Sequence, residues 1–109
     1  MRNTFDEFYK EIETEAEAEG PEAVRDLRTK ELKYALISSL MTGRRALNLT
    51  QAQLAERSGV AQTEISRIER GRKSPTMDTY SRLAAALGLR LRLVRPRTAL
   101  PRRSGDLAV

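Results

Sequence analysis

The most constraining feature of this chain is the punctuation of its middle. Asn48, Thr50, Gly59, Gly71, Thr76 and Gly88 are residue types that cap or stop helices, and they cut residues 48–88 into short pieces. Helices shorter than about 12–15 residues are marginal in water by themselves. The pieces must therefore pack on one another, or on a longer neighbour, around one small core. That core is largely aliphatic, because the 109 residues contain no Trp, 2 Phe and 3 Tyr.

The stops divide the chain into recognisable elements. Thr50 is placed to cap a helix over Gln51–Arg57, and Gly59 marks a turn. Gln62–Arg70 is the next helix, ended by Gly71, and Arg72-Lys73-Ser74-Pro75 is a basic loop. Thr76 caps Met77–Leu87, in which Met77, Tyr80, Leu83, Ala84 and Leu87 share a face, and Gly88 ends it. Upstream, Pro21 to about Ala46 reads as a long helix. Val24, Leu27, Leu32, Leu36, Leu40 and Leu47 lie near one side of it, widened by Ala35, Ile37 and Met41. Asn48 suits a left-handed end to that helix.

At the front, Thr4-Phe5-Asp6-Glu7 reads as a capping box with Thr4 as N-cap. Phe5, Phe8, Tyr9 and Ile12 then form a narrow apolar stripe at i, i+3, i+4, i+7; Glu13–Glu19 has no large apolar residue, and Gly20-Pro21 ends the segment. Beyond Gly88 the period changes. Leu89 to Arg95 alternates apolar and basic residues, which is a strand pattern, and Pro96 stops it. Residues 96–109 read as a flexible basic tail.

What is missing bounds the chemistry. There is no Cys and no His, hence no disulfide, thiol nucleophile, imidazole base or usual zinc site. No catalytic residues, metal or cofactor are expected, and an enzyme is disfavoured. No stretch approaches the roughly 18 apolar residues of a membrane span. Met1–Lys10 lacks the apolar core of a signal peptide, so a cytoplasmic location is expected. The net charge of +5 is unevenly spread. Residues 1–31 hold 5 basic and 10 acidic residues, net −5, and residues 32–109 hold 15 basic and 5 acidic, net +10. Two partners of opposite charge are implied.

The stretch Leu49–Ile68 has the logic of a helix-turn-helix. Leu54 and Ala55 face inward from the first helix, Gly59 makes the turn, and Val60 plugs the space between the helices. Ile65 and Ile68 anchor the second helix, leaving Gln62, Thr63, Ser66 and Arg67 outward where a recognition helix presents its side chains. Gln pairs with adenine edges and Arg bidentately with guanine. "LTQAQLAERSGVAQTEISRIERGRKSPTMDTYSRLAAALG" resembles the Xre/Cro-type helix-turn-helix of phage repressors and bacterial regulators, over about residues 40–90. The resemblance implies an all-α, lambda-repressor-like bundle. It also implies that Gln62, Thr63, Ser66 and Arg67 read bases, that Gln51, Arg70, Arg72 and Lys73 touch phosphate, and that Arg44 and Glu69 form an internal ion pair. Ala61 departs from the family, which often has Ser or Thr at this N-cap; the lost cap costs about 1 kcal/mol.

Two further features lie outside that motif. A lone strand leaves its backbone groups unpaired, so Leu89, Leu91 and Leu93 suggest antiparallel pairing with a second copy. Such a homodimer sets two recognition helices about 34–36 Å apart, matching a palindromic operator. The alternative is that residues 89–95 extend over their own bundle. The layout of a helix beginning "TFDEF", a long helix, the helix-turn-helix and a terminal "LGLRLRL" resembles HigA-type antitoxins. In that class the partner is a basic ribonuclease toxin of the RelE/HigB-like kind, and the antitoxin also represses the shared operon on double-stranded operator DNA. The expected division is an acidic toxin-binding arm (1–31), a DNA-binding domain (32–88), a dimerisation strand (89–95) and the tail (96–109). Phe5, Phe8, Tyr9 and Ile12 are the expected toxin anchors, flanked by Glu7, Glu11 and Glu15. The competing readings are an arm packed on its own domain and a stand-alone Xre-family regulator with no toxin.

Overall fold

A computed structural model describes residues 4–95. They form α1 (Thr4–Glu19), α2 (Pro21–Ala46), α3 (Gln51–Ser58), α4 (Gln62–Glu69) and α5 (Met77–Ala86), with no strand among the described residues. Met1–Asn3 and the expected tail at 96–109 lie outside that range. The expected caps of α3 and α5 form. The Thr50 side chain accepts the Gln53 N–H at 3.0 Å while the Gln53 side chain accepts the Thr50 N–H at 2.9 Å. Thr76 accepts the Thr79 N–H at 3.1 Å. Asn48 has φ 57°, the one non-glycine residue with positive φ among those described. Thr4, expected as a cap, lies within α1.

α2 has 26 residues, a rod of about 39 Å at about 1.5 Å per residue. Its two halves do different work. The front half pairs with α1 in a helical hairpin bent at Gly20, whose φ of 124° and ψ of 179° fall where only glycine is at ease. Ala16 is the buried residue of α1, with Tyr9, Ile12, Val24 and Leu27 half-buried. Arg28 ties the hairpin, 2.9 Å from Glu13 on α1 and 3.0 Å from Glu31 on its own helix.

The back half of α2 enters the core with Ile37 and Leu40, joined by Leu54 of α3, Val60 of the turn, Ile65 and Ile68 of α4, and Leu83, Ala84 and Leu87. Leu54, Ile65 and Ile68 are each 1% exposed. The leucine stripe expected along α2 is corrected here: Leu32 is 68% exposed, and Leu36 and Leu47 are also exposed. Each i+4 step advances about 40° beyond a full turn, so leucines at 32, 36 and 40 drift across the helix and only Leu40 meets the core. Met77, expected on the inner face of α5, is exposed in the first turn.

Residues 89–95 carry neither helix nor strand. The Leu89 N–H donates to Ala84 O at 2.8 Å, and a Cβ placed on Gly43 would come within 2.8 Å of Leu89 Cδ1. Gly43 is thus the notch through which the chain leaves α5 and crosses α2. Leu91 lines a shallow apolar groove with Leu36, Ile37, Met77 and Tyr80, whereas Leu93 is 93% exposed. The three leucines therefore do not share one free face. A strand ladder needs a partner's backbone, which a single chain does not offer.

Leu54→Ala is expected to destabilise the protein by about 2–5 kcal/mol in urea denaturation, while Leu32→Ala stays within about 0.5 kcal/mol. Equal losses would contradict this assignment of the core.

Candidate nucleic-acid interface

α4 is aimed by the turn before it. Gly59 is left-handed (φ 77°) and donates its N–H to Ala55 O at 2.9 Å. The chain then drops Val60 into the core, and Ser58 Oγ accepts the Val60 N–H at 3.1 Å. α4 starts after Ala61 without a side-chain cap. Burial of Ile65 and Ile68 turns the opposite face outward at about 100° per residue. Gln62, Thr63, Arg67 and Arg70 are exposed there, with Ser66 half-buried beside them. The loop after α4 folds back, the Arg72 N–H donating to Arg67 O at 2.8 Å. This puts the exposed Arg72 and Lys73 next to the same face.

Under that face sits one shared carboxylate. Glu69 accepts from Arg44 Nε at 2.7 Å and from Arg44 Nη2 at 2.9 Å. Gln51 Nε2 donates to Glu69 Oε1 at 2.9 Å, and Arg44 Nη1 donates to Leu49 O at 2.7 Å. The side chains of Arg44 and Glu69 are nearly buried. Burial alone would push the Glu69 carboxyl up. The hydrogen bonds from Arg44 and Gln51, with the charges of Arg44 and Arg45, outweigh it and hold Glu69 below the ordinary carboxylate range. Arg44 is raised, chiefly by its hydrogen bond to Glu69, against the opposing effect of burial.

The expected site residues fall into three places. Gln62, Thr63, Ser66, Arg67, Arg70, Arg72 and Lys73 are brought together along α4 and its loop. Gln51 is half-buried and bound to Glu69, so its amide helps to hold the base of α4. Phe5, Phe8, Tyr9 and Ile12 lie on α1, but not as one patch. Phe5 and Phe8 are 68% and 58% exposed, while Tyr9 and Ile12 are half-buried, Ile12 beside Ala16, Ala23 and Leu27. The rings of Phe5 and Tyr9 stack with centroids 6.3 Å apart.

The Lys73–Glu64 bridge at 3.2 Å and the Gln51–Glu69 bond have no counterpart in the sequence pattern. Both link residues that only the folded loop or the helix crossing brings together, so no periodicity announces them. No group of three His, Cys, Asp or Glu side chains that could hold a metal occurs among the described residues. None of their helices is long and apolar enough to cross a membrane.

The Helix-turn-helix family matches residues 40–94, from the buried half of α2 to the segment after α5. The chain belongs to the helix-turn-helix family. Among relatives of this helix-turn-helix chain, an uncharacterised HTH-type transcriptional regulator of Haemophilus influenzae is 37% identical over 94 residues, covering 86% of this chain and 87% of its own. The HTH-type regulator y4dJ of Sinorhizobium fredii is 44% identical over 59 residues, 53% of this chain and 77% of its own. The antitoxin HigA1 of Mycobacterium tuberculosis is 36% identical over 80 residues, 73% of this chain and 54% of its own. This chain thus aligns with about half of HigA1. No solved structure matches significantly.

Removing one partner of a buried pair strands the other charge. Glu69→Ala is expected to cost about 3–5 kcal/mol in urea denaturation. The pH dependence follows from the lowered Glu69 pKa. Its contribution is complete above the unfolded value of about 4.3 and is lost as pH falls through the lower folded value. Stability should therefore fall less steeply with acid in Glu69→Gln than in the parent protein. Equal slopes would contradict the pairing.

Proposed function

We propose that this chain is a DNA-binding transcription regulator and, more narrowly, the antitoxin of a type II toxin–antitoxin pair that represses its own operon. The observation that carries the DNA-binding part is the outward face of α4. Gln62, Thr63 and Arg67 are exposed on the helix whose Ile65 and Ile68 are each 1% exposed. In this reading Gln62, Thr63, Ser66 and Arg67 read base edges in the major groove. Arg70, Arg72 and Lys73 engage phosphate. Gln51 keeps one amide hydrogen on Glu69 and has a second for a phosphate oxygen.

The antitoxin part is supported by the likeness to HigA1 and by α1 itself. Phe5 and Phe8 stand exposed on a helix rich in glutamate, the arrangement that suits a basic protein surface with apolar pockets. Tyr9 and Ile12 brace the hairpin and contribute less contact than the two phenylalanines. The partner is a basic ribonuclease toxin of the RelE/HigB-like kind. Dimerisation through residues 89–95 completes the reading, with Leu93 free to meet a second copy and Leu89 and Leu91 seating the segment on its own helices. A regulator without a toxin is the second reading. It is favoured by the Haemophilus influenzae relative, which covers 86% of this chain and is named only as a transcriptional regulator.

Arg67→Ala is expected to erode discrimination at one base pair by about 1–3 kcal/mol, whereas Arg72→Ala weakens all sequences alike and flattens the salt dependence by about one unit. Identical behaviour of the two variants in binding titrations would overturn the division of roles. Co-expression with the product of the adjacent reading frame tests the toxin. The pair should co-purify, and Phe5→Glu with Phe8→Glu should abolish the complex while leaving DNA binding intact. Absence of any complex would favour the stand-alone regulator.

A further inference from the structure

Glu64 has two claims on its charge: the first turn of a helix favours an acidic side chain, and a lysine lies within reach. It sits in the first turn of α4, on the flank between the buried isoleucines and the outward face, and its carboxylate lies 3.2 Å from Lys73 Nζ. Lys73 comes from the loop that the Arg72–Arg67 backbone bond folds against α4. Both side chains remain partly exposed, at 45% for Lys73 and 27% for Glu64. The ammonium is thus held by an internal anion beside the surface where phosphate would lie.

We propose that Glu64 is an affinity-setting residue: it competes with the DNA backbone for Lys73 and keeps general DNA affinity low. This rests on the DNA-binding reading of α4. Lys is a point charge on a flexible stem, so Lys73 exchanges one oxygen anion for another without moving the loop. Exposed ion pairs alter an equilibrium by about fivefold at most. That is small enough for phosphate to displace the carboxylate and large enough to weaken binding to every sequence. When Lys73 leaves, Glu64 also becomes an unpaired negative charge next to the duplex, which adds to the cost. Base readout by Arg67 is untouched by the exchange, so the effect lowers affinity for random and operator DNA together.

The test uses the full chain and a random-sequence duplex, with affinities measured across a range of salt for the parent, Glu64→Gln, Lys73→Met and the double variant. Glu64→Gln is expected to tighten binding by about two- to fivefold. The gain should be at least twice as large with Lys73 present as with Met at that position. Lys73→Met alone should lower the magnitude of the salt slope by about 0.9. An equal gain from Glu64→Gln in both backgrounds would overturn the proposal, since Glu64 would then act only as a general negative charge. So would weaker binding of Glu64→Gln, which would make Glu64 a DNA contact in its own right. Failure of the parent chain to bind any duplex, operator included, is a different result: it would remove the DNA-binding reading beneath the proposal.

Discussion

One carboxylate holds three helices. Glu69 at the end of α4 receives Arg44 from α2 and Gln51 from the start of α3, while Arg44 also fastens the Leu49 carbonyl that leads into α3. The apolar core explains why these helices associate, but contacts between aliphatic side chains are not directional. The hydrogen-bonded ion pair is directional. It fixes the position at which the helices cross, and with it where α4 presents its outer face. The core beside it is small, built on Leu54, Ile65, Ile68, Leu83 and a few neighbours. A tilt of one short helix would therefore move every side chain on the opposite surface.

The same arrangement divides the molecule by charge and by packing. α2 joins a hairpin with one buried residue in α1 to the well-packed bundle behind it. The acidic excess lies in residues 1–31 and the basic excess in residues 32–109. Local stability scales with buried apolar contact, so the hairpin opens more cheaply than the bundle. Under the proposed function, that suits the toxin-binding role of the hairpin, and the rigid base suits the DNA-reading role of α4.

Much of this architecture is legible in residues that fix backbone geometry. Thr50, Gly59, Thr76 and Asn48 mark the ends of helices because caps and left-handed turns are local chemistry. Ile65 and Ile68 define the inner side of α4, and hence Gln62, Thr63 and Arg67 on the outer side. The long helix is harder. Its leucines suggest a continuous stripe, yet at i+4 spacing they drift around the helix, so Leu32 and Leu36 stay exposed while Leu40 meets the core. The alternation in Leu89–Arg95 is a strand pattern, but in the single chain Leu89 enters the notch at Gly43. Pairings such as Glu64 with Lys73 depend on how a loop folds back, and neither period nor spacing encodes that.

In the proposed function, the outward face of α4, held from below by Glu69, is the surface that meets DNA. Backbone amide chemical shifts, measured as duplex DNA from upstream of the gene is added to the full chain, test it most directly. The largest changes are expected at Gln62–Arg67 and at residues 70–73, with α1 unaffected. Changes centred on α1, or none along α4, would contradict it.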